Sequence, residues 1–463
     1  MNPLKEKFNE YNFVDHTDDV REDSAFLMLK GSEKHVSSIN AANPKFTIGQ
    51  LNIGFLDSNF VQIKGLDTNF IKWIDECYEI NQKKFNNFFV TGTNGKSSAL
   101  SFLSQILSNQ KINHASMGTL GSFINNINIH NQRLTTETPV FIRNFQKKCI
   151  KNNVKNILYE ASSVGIDQNR LEGLSVDHLS FSNITHDHLD YHENFENYLE
   201  AKLKIVRKCT NTFTYWRDTD HKKKIQENFF GKNSFTISLK DISSDIYIDV
   251  HHISPEGIIE FTSHTPWGRV NANVLLYAEY NLINLFLSLP YLINCGLKLC
   301  DFQKALENLK VPLGRLNKFM MKNKTIYVDY AHTPDGLDKL LYSIMMLEKK
   351  KINIVFGCGG ERDIEKRTMM GKIADSYCEK IYITNDNPRS EDPLAIFQMI
   401  KNGIKASKTL FIEDRGEAIK KSIADLQKNE ILIIAGKGHE NFQIVSEGKY
   451  IFSDIEAVKK CLK

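Results

Sequence analysis

Short apolar runs alternate with amphipathic stretches along most of this chain. Such runs, typical of buried strands, occur at Phe88–Val90, Ile157–Tyr159 and His178–Phe181. After the first of them, Leu100, Leu103 and Leu107 recur at the spacing of one helix face, which predicts a helix over Ala99–Leu107. Strands that alternate with helices predict an α/β fold whose mostly parallel sheet is covered on both faces.

The same pattern divides the chain into segments. A weakly patterned start, with strand-like runs at Ala25–Leu29 and Asn52–Leu56, predicts a small α/β domain over 1–86. The central domain would span 87–312, and Gly314-Arg315 would form a hinge to a Rossmann-like C-terminal domain over 313–463. The buried strands predicted there are Thr325–Val328, Asn353–Phe356, Lys380–Thr384 and Ile431–Ala435. The length of 463 residues fits three domains of roughly 100–200 residues each.

The longest apolar stretch, Val274–Leu299, contains Glu279 and three asparagines, so we predict a buried helix there and no membrane span. The first residues lack an apolar core of signal-peptide length. Eight cysteines are scattered without a CxxC pair, which indicates a reduced, cytosolic protein with unpaired thiols.

Composition excludes some classes of protein. Charged residues make up 25% and hydrophobic ones 41%, which is ordinary for globular domains. The net charge is +4, from 59 Lys and Arg against 55 Asp and Glu, and this balance argues against a dedicated nucleic-acid binder.

The segment Thr91–Ser98 reads TGTNGKSS and follows a predicted strand. Glycines there let backbone N–H groups approach phosphate oxygens, and the start of a helix adds positive potential. Lys96 would reach the β- and γ-phosphates, and the Ser97 hydroxyl would face Mg²⁺. The alternative is a glycine-rich turn that merely precedes a helix.

Two further polar clusters follow the next strands. Glu160 follows Ile157–Tyr159, and His188 lies in the segment after His178–Phe181. A carboxylate and an imidazole at neighbouring strand ends predict a Mg²⁺ site. Two alternatives stay open for His186, His188 and His192. One is a polar helix start, and the other is zinc, for which the cysteines are poorly placed.

Other polar residues have weaker signals. Asn281 and Asn284 are one helical turn apart and could face one ligand, or form a hydrogen bond between helices. Lys202 alone would be a solvated charge. Three polar segments each follow a strand of the C-terminal domain, at Phe356–Asp363, Thr384–Ser390 and Ala435–Gln443. In open sheets of this kind, ligands bind at the carboxyl ends of strands.

In this order, TGTNGKSS, NITHDHLDYH with a following YLEAK, the pair GR and DYAHTP resemble the motifs of the Mur ligase family, which includes folylpolyglutamate synthases. The resemblance implies ATP and Mg²⁺ as cofactors and four catalytic residues: Lys96, His188, Lys202 and Arg315. It implies ATP contacts from Gly92, Thr93, Asn94, Gly95, Lys96, Ser97, Ser98, Asn281, Asn284 and Asp329, with His332 in support. It also implies a Mg²⁺ site formed by Ser97, Glu160, His188 and a carbamylated Lys202.

Within this family, Asp386-Asn-Pro-Arg389 matches the DNPR signature of members that add meso-diaminopimelate. The distal end of that substrate carries a carboxylate, which Arg389 could bind in bidentate fashion, and an ammonium, which Glu440 could bind. Lysine has no distal carboxylate and would leave a buried guanidinium unpaired. The amino-acid site would comprise Arg362, Asp386, Asn387, Pro388, Arg389, Gly436 and Glu440.

A UDP-sugar peptide, by the same resemblance, would contact Thr135, Thr136, Ser162, Gln168 and Arg170. The first domain departs from the family pattern, because Thr17–Arg21 replaces the usual Asp-Ser-Arg and Ser24 replaces a glycine. This domain would bind UDP through a degenerate motif, and no residue is assigned to the uracil.

The resemblance therefore implies a cytoplasmic, monomeric ligase that acts on small-molecule substrates, without nucleic-acid partners and without membrane insertion. It would couple meso-diaminopimelate to UDP-N-acetylmuramoyl-L-alanyl-D-glutamate through an acyl phosphate in peptidoglycan synthesis. The alternatives are a lysine-adding ligase, a folylpolyglutamate synthase and a non-catalytic relative that binds UDP-muramyl peptides.

Overall fold

The computed structural model describes residues 7–51, 59–131, 133–321, 324–405 and 409–462. Its main strands form three sheets that follow one another along the chain. Each sheet falls within one of the three predicted segments, except that the central sheet begins at Asn86, one residue before the predicted boundary. The boundaries at 86/87 and 312/313 stay predictions. The predicted strand Asn52–Leu56 lies outside the described residues.

The first sheet contains four parallel strands in the order β1-β2-β3-β4. They are β1 (Asn12–Val14), β2 (Ser24–Met28), β3 (Phe46–Gly49) and β4 (Phe60–Gln62). The helices Val36–Ala42 and Leu66–Cys77 accompany them, with short 3-10 turns at Thr17–Asp19 and Glu33–His35. The strand predicted at Ala25–Leu29 is confirmed one residue earlier, as β2.

The central sheet has eleven strands within the described residues, in the order β15-β14-β13-β12-β11-β10-β5-β9-β6-β7-β8. They are β5 (Asn86–Thr91), β6 (His114–Gly118), β7 (Gly121–Ile124), β8 (Ile127–His130), β9 (Asn156–Glu160), β10 (Val176–Phe181), β11 (Cys209–Trp216), β12 (Asn233–Ser238), β13 (Ile246–Ile253), β14 (Ile258–Thr265) and β15 (Gly268–Leu275). The strands from β13 to β6 pair in parallel, as predicted. The antiparallel additions at both edges have no counterpart in the prediction.

Helices cover both faces of this sheet, as the sequence predicted. Phe88 and Val90 of β5 pack into one buried cluster with the helix Lys96–Asn109, and Phe89 packs into the opposite cluster with the helix Phe195–Lys208. The other helices are Pro139–Lys151, Ser163–Asp167, Leu189–His192, Lys222–Glu227, Tyr280–Phe286, Leu289–Asn294 and Leu299–Ala305, with 3-10 turns at Gln82–Lys84 and Leu306–Asn308.

The prediction of one buried helix over Val274–Leu299 is wrong. Its first residues end β15, and the rest forms two short buried helices, Tyr280–Phe286 and Leu289–Asn294, before a third begins at Leu299. Pro290 lies in the first turn of the second helix. Because proline has no N–H group to donate, the first helix cannot continue through this position.

The third sheet has the order β16-β17-β21-β18-β19-β20, with an antiparallel edge pair β16–β17 and parallel pairs elsewhere. Its strands are β16 (Asn317–Met321), β17 (Lys324–Asp329), β18 (Lys351–Phe356), β19 (Cys378–Ile383), β20 (Thr409–Phe411) and β21 (Glu430–Ala435), followed by the hairpin β22 (Phe442–Val445) and β23 (Gly448–Ile451). The helices are Pro334–Glu348, Glu365–Tyr377, Pro393–Lys401, Arg415–Asp425 and Asp454–Leu462. The four predicted strands are confirmed, each within two residues.

No helix among the described residues is long and apolar enough to cross a membrane. All eight cysteines are free thiols.

Candidate active site

The phosphate loop lies between β5 and the helix Lys96–Asn109. That helix begins three residues before the predicted Ala99, because Gly95 caps it with φ +88°. Gly92 has φ +141°, and a Cβ there would lie 2.0 Å from Ser182 Oγ. Both glycines are therefore required by backbone conformation or by close packing.

Lys96 and Lys202 meet at this loop, as the sequence predicted. The Lys96 Nζ donates to the carbonyls of Gly92 and Thr93, both at 2.9 Å, and the Lys202 Nζ donates to the same Gly92 carbonyl at 2.8 Å. Burial lowers the pKa of each ammonium, and each is lowered further by a neighbouring cation. Lys202 is buried and Lys96 is partly buried, and in the protonated form the two ammonium groups would create a positive potential that favours a phosphate.

Glu160 lies at the other side of the loop. Its carboxylate accepts from Ser97 Oγ at 3.2 Å and from the Thr119 backbone N–H at 3.0 Å. The Arg315 Nη2 donates to the same Ser97 Oγ at 3.2 Å, from the C-terminal domain. Burial raises the pKa of Glu160, whereas Lys96 and Arg315 oppose that rise. Ser97 and Glu160 thus bring two hard oxygen donors together, which suits Mg²⁺.

The predicted metal site needs more than protein carboxylates. Among the described residues, no three His, Cys, Asp or Glu side chains lie close enough to hold a metal ion. Zinc, which requires three or four such ligands, therefore does not fit. Mg²⁺ fits better, because it binds one or two carboxylates and completes its shell with water and substrate phosphates.

The three histidines of the HDHLDYH segment lie in different surroundings. His188 has φ +55°, makes no capping bond to its helix, and points Nε2 to within 3.5 Å of Asp187 Oδ2. Desolvation lowers the pKa of His188 to about 4, which keeps the imidazole neutral at pH 7. His186 Nε2 instead contacts Asp363 Oδ2 of the C-terminal domain at 2.6 Å, and His192 packs on the Tyr198 ring with its centroid 5.4 Å away.

A cavity of about 70 Å³ lies beside the loop, between the central and C-terminal domains. The predicted ATP residues Asn94, Gly95, Ser98, Asn281, Asn284 and Asp329 line it, together with Arg315. The Asn284 Nδ2 donates to Asn281 Oδ1 at 3.2 Å, so the bond lies within one helix and does not join two helices. A Cβ on Gly95 would come within 2.2 Å of Asn284 Oδ1, so this glycine lets the asparagine pack on the loop.

Asp329 also supports the hinge. Its Oδ2 accepts from the Leu316 N–H and its Oδ1 from the Ala331 N–H, both at 2.7 Å. Burial raises the pKa of this carboxyl, and Arg315 opposes the rise. The residue therefore fixes the backbone next to Arg315 as well as facing the small cavity.

A second cavity, of about 440 Å³, joins the central domain to the C-terminal domain. One wall carries the predicted substrate residues Thr135, Ser162 and Arg170 of the central domain, together with His188, which was predicted for the Mg²⁺ site. The other wall carries predicted amino-acid residues: Arg362, Asp386, Asn387, Arg389, Gly436 and Glu440. The strand-end segments that the sequence singled out thus meet in one space.

Arg389 is held by backbone bonds. Its Nη1 donates to the carbonyls of Gly360 at 2.6 Å and Asn387 at 3.3 Å, and its own backbone has φ +57°. Its backbone N–H donates to Ile444 of the hairpin at 3.1 Å. Desolvation lowers the pKa of Arg389, and the neighbouring Arg362 lowers it further. Two guanidinium groups of like charge on one wall favour an anionic ligand between them.

Glu440 faces the same cavity and is held by a buried lysine. The Lys437 Nζ, fully buried, donates to Glu440 Oε2 at 2.8 Å and to Asn387 Oδ1 at 3.1 Å. Asn387 Nδ2 donates to the same Glu440 oxygen at 3.2 Å. Sequence reasoning missed Lys437, although it lies inside the quoted Ala435–Gln443 motif.

Some predicted contacts do not line either cavity. Thr136 is buried and accepts from the Ser162 N–H at 2.9 Å while donating to the Glu160 carbonyl at 2.8 Å, so it supports the loop. Gln168 is exposed and accepts from Arg170 at 2.6 Å. Pro388 packs its carbonyl where a Cβ on Gly360 would lie, at 1.9 Å. These three residues contact neighbouring residues and do not line either cavity.

Sequence reasoning also missed Asp187 and Lys366, which line the large cavity from opposite domains. Burial opposes ionisation of Asp187, but His188, Lys366 and His332 hold its pKa well below the usual range. The HDH pattern offered a signal for Asp187, whereas Lys366 lies in a helix start that only the folded chain brings here.

The first domain adds no uracil contact that can be assigned. Arg21 lies in the segment Thr17–Arg21, which departs from the family motif, and its Nη1 donates to the carbonyls of Asp18 and Val20. Asp19 forms an ion pair with Arg133 of the central domain at 2.5 Å. These residues of the Thr17–Arg21 segment are engaged in local and interdomain bonds.

Comparisons with known proteins show which family this chain resembles in sequence. Models of the Mur ligase middle domain and of the Mur ligase glutamate ligase domain match residues 90–291 and 314–438. A protein of Rickettsia bellii named UDP-N-acetylmuramoyl-L-alanyl-D-glutamate–2,6-diaminopimelate ligase is 33% identical, over 98% of this chain and 96% of its own. A protein of the same name from Buchnera aphidicola is 37% identical over 81% of this chain and 77% of its own.

Solved structures show the same similarity. A solved structure of a UDP-N-acetylmuramoyl-L-alanyl-D-glutamate–2,6-diaminopimelate ligase aligns with a TM-score of 0.62 and 28% identity, covering 98% of this chain and 94% of that one. The MurF ligase of Thermotoga maritima, solved in complex with ADP, aligns with a TM-score of 0.66 over 100% and 98% of the two chains. Its identity of 16% makes that likeness one of fold alone.

Proposed function

The chain belongs to the Mur ligase family, and from that premise we propose that it is an ATP-dependent, ADP-forming ligase that adds meso-diaminopimelate to UDP-N-acetylmuramoyl-L-alanyl-D-glutamate. The product would be a precursor of peptidoglycan. The names of the Rickettsia and Buchnera relatives support this substrate assignment.

One observation carries the proposal. A single cavity of about 440 Å³ has Arg170 and His188 on one wall and Arg389 and Glu440 on the other. The first wall adjoins the phosphate loop, and the second has the charges that a zwitterionic amino-acid end requires. An acyl phosphate formed at the first wall would lie in the same space as an amine held by the second.

Residue roles follow from this arrangement. Lys96 and Arg315 offset the negative charge that develops when the D-glutamate γ-carboxylate attacks the γ-phosphate, in the manner of positioning and electrostatic stabilisation. Asn94 bonds to Asp335 of the C-terminal domain at 3.0 Å, so the loop and that domain are joined when the cavity is closed. Closure excludes water, which would otherwise hydrolyse an acyl phosphate.

In the second step the amine of diaminopimelate attacks the acyl carbon, and phosphate leaves. Arg389 binds the distal carboxylate and Glu440 the distal ammonium, while Arg362 binds the other carboxylate. Asp386, Asn387 and the Gly436 backbone complete the pocket, whereas Pro388 shapes its backbone. Thr135, Ser162 and Arg170 bind the muramyl peptide, with Thr136 and Gln168 supporting them.

Ser97, Glu160, His188 and a carbamylated Lys202 would hold Mg²⁺, which would supply charge neutralisation at the phosphates. The lowered pKa of Lys202 increases the fraction of neutral amine, and the neutral amine is the form that reacts with CO₂. Carbamylation would replace an ammonium by oxygen donors, which a hard cation prefers.

The same proposal includes three domains at 1–86, 87–312 and 313–463. The first would hold the UDP end, the second ATP and the third the amino acid. We further infer a monomer that works in the cytoplasm, where reduced thiols such as these persist.

Phosphate release in the presence of ATP, Mg²⁺, the UDP-muramyl dipeptide and meso-diaminopimelate tests the function. We expect release to require all of these, and Lys96→Met to lower it by about 100- to 1,000-fold. Lys204→Met, on the exposed side of the helix Phe195–Lys208, is the matched charge control. Binding of the muramyl dipeptide without turnover would instead identify a non-catalytic relative, and release that depends on folate would identify a folylpolyglutamate synthase.

A further inference from the structure

The Arg315 guanidinium lies on the ring of Tyr330, a residue of the DYAHTP motif to which no role has been assigned. Its Cζ is 4.5 Å from the centroid of the Tyr330 ring. Its Nη2 donates to Ser97 Oγ, at the edge of the phosphate loop. Among the described residues its buried Nε has no hydrogen-bond partner. The ring face is therefore the contact that sets the plane of this cation.

Two histidine rings also contact Tyr330. The His439 ring centroid lies 4.8 Å from that of Tyr330, and the His332 centroid lies 4.6 Å away. Burial lowers the pKa of His439 to about 3, so its ring is neutral and packs as an aromatic group. Tyr330 is thus in contact with the guanidinium and with two imidazoles.

Glycines make this packing possible. A Cβ on Gly314 would lie 2.0 Å from the His439 backbone nitrogen, and a Cβ on Gly438 would lie 2.7 Å from Tyr330 Cβ. Both glycines have positive φ, +72° and +52°. The hinge residue before Arg315 and the loop that carries Glu440 therefore touch backbone to backbone, with Tyr330 beside them.

We propose that Tyr330 is a positioning residue for the reaction: its ring, packed on His439, holds the Arg315 guanidinium in the plane that meets the transferred phosphate. This inference deepens the proposed function and rests on it. The stack joins the phosphate side of the cavity to the amino-acid loop through three side chains. A cation–aromatic contact of this kind is worth about 0.5–2 kcal/mol, which corresponds to a change of about 2- to 30-fold.

The test compares Tyr330→Leu, which removes the ring, with Tyr330→Phe, which keeps it. The first readout is the ratio of affinities for the ATP analogue AMPPNP and for ADP, because only AMPPNP has the γ-phosphate that Arg315 would contact. We expect Tyr330→Leu to lower this ratio by about 3- to 10-fold and to lower kcat similarly, with the KM for diaminopimelate nearly unchanged. Tyr330→Phe should retain most of both.

A double-mutant cycle with Arg315→Ala then separates positioning from general damage. If Tyr330 acts through Arg315, Tyr330→Leu should change the ratio by less than about twofold in the Arg315→Ala background. Tyr327→Leu, on the same strand but bonded to Glu348 at 2.6 Å, is the matched control for loss of a buried ring. Equal effects in both backgrounds, an equal loss in Tyr330→Phe, or the same loss in Tyr327→Leu would overturn the inference.

The two proposals fail separately. Absence of phosphate release by the wild-type enzyme with all substrates would contradict the proposed function. The affinity ratio would still report on Tyr330, because it needs only the nucleotide.

Discussion

The phosphate region and the amino-acid region of the cavity treat buried lysines in opposite ways. At the phosphate loop, Lys96 and Lys202 both donate to one neutral carbonyl, that of Gly92. In the amino-acid region, Lys437 is equally buried but is paired with the Glu440 carboxylate at 2.8 Å. Lys96 therefore donates to backbone carbonyls and can still pair with a ligand of high negative charge, whereas the second region uses its lysine to fix a carboxylate.

The difference indicates how each region recognises its ligand. A phosphate can pair with the Lys96 ammonium, whose hydrogen-bond partners are backbone carbonyls. A zwitterion needs both signs at fixed positions, and Lys437 sets one of them by holding Glu440 and Asn387 together. Arg389 supplies the other sign. Specificity for the amino acid should thus reside in the second region alone.

The largest expected effect that separates the regions is that of Arg389→Ala. Loss of a bidentate, charge-assisted contact should lower kcat/KM for diaminopimelate by about 100-fold, while the KM for ATP should change by less than about twofold. Arg389→Lys keeps the positive charge but loses the planar guanidinium. Its kcat/KM for diaminopimelate should therefore lie between those of the wild type and Arg389→Ala. Steady-state kinetics with each substrate varied in turn provides the measurement, and equal losses for both substrates would mean that Arg389 is structural.

Lys437→Met should have a smaller effect of the same kind. Glu440 would lose its fixed partner, so we expect kcat/KM for diaminopimelate to fall by about 10-fold and the free energy of unfolding by about 1–3 kcal/mol. Denaturant unfolding and kinetics on one preparation would check both. A loss in ATP affinity that matches the loss for diaminopimelate would contradict the separation of the two regions.

The smallest effect concerns pH and the phosphate region. Burial lowers the folded-state pKa of Lys202 below its usual 10.5. Between those two values the unfolded chain binds more protons, so the stability contributed by this residue rises with pH, by at most about 1.4 kcal/mol per pH unit. Lys202→Met should remove that component of the rise between pH 7 and pH 9.5, measured by denaturant unfolding in CO₂-free buffer. If Lys202→Met showed the same dependence of stability on pH as the control Lys204→Met, Lys202 would not be desolvated in the folded state.

Much of this arrangement could be predicted from the sequence for a simple reason. The motifs follow buried strands, and the carboxyl ends of parallel strands meet at one edge of a sheet. That rule places Arg389 and Glu440 around one cavity and brings Glu160 to the phosphate loop beside Ser97. It does not predict the meeting of Lys96 with Lys202, because Lys202 lies in a helix and only the family resemblance singled it out.

Other features depend on contacts that no local pattern encodes. Lys366 lies in a helix and faces the cavity only in the folded chain, whereas Tyr330 lies in the DYAHTP motif but its contact with Arg315 is not encoded by that motif. Thr136 has the residue type of a ligand contact, yet it supports Glu160 from behind. The apolar run Val274–Leu299 carried a helical composition, but Pro290 divides it. The antiparallel edge strands of the central sheet depend on strand pairings that the lengths of the apolar runs in the sequence do not encode.

The central claim is that one cavity joins phosphate chemistry to a pocket built for an amino acid with a distal carboxylate. The most direct test is kcat/KM of the wild-type enzyme for meso-diaminopimelate against L-lysine, with ATP and the UDP-muramyl dipeptide saturating. The account predicts a preference for diaminopimelate of about 100-fold or more, because lysine would leave Arg389 without an anion. Equal use of the two amino acids, or a preference for lysine, would contradict it.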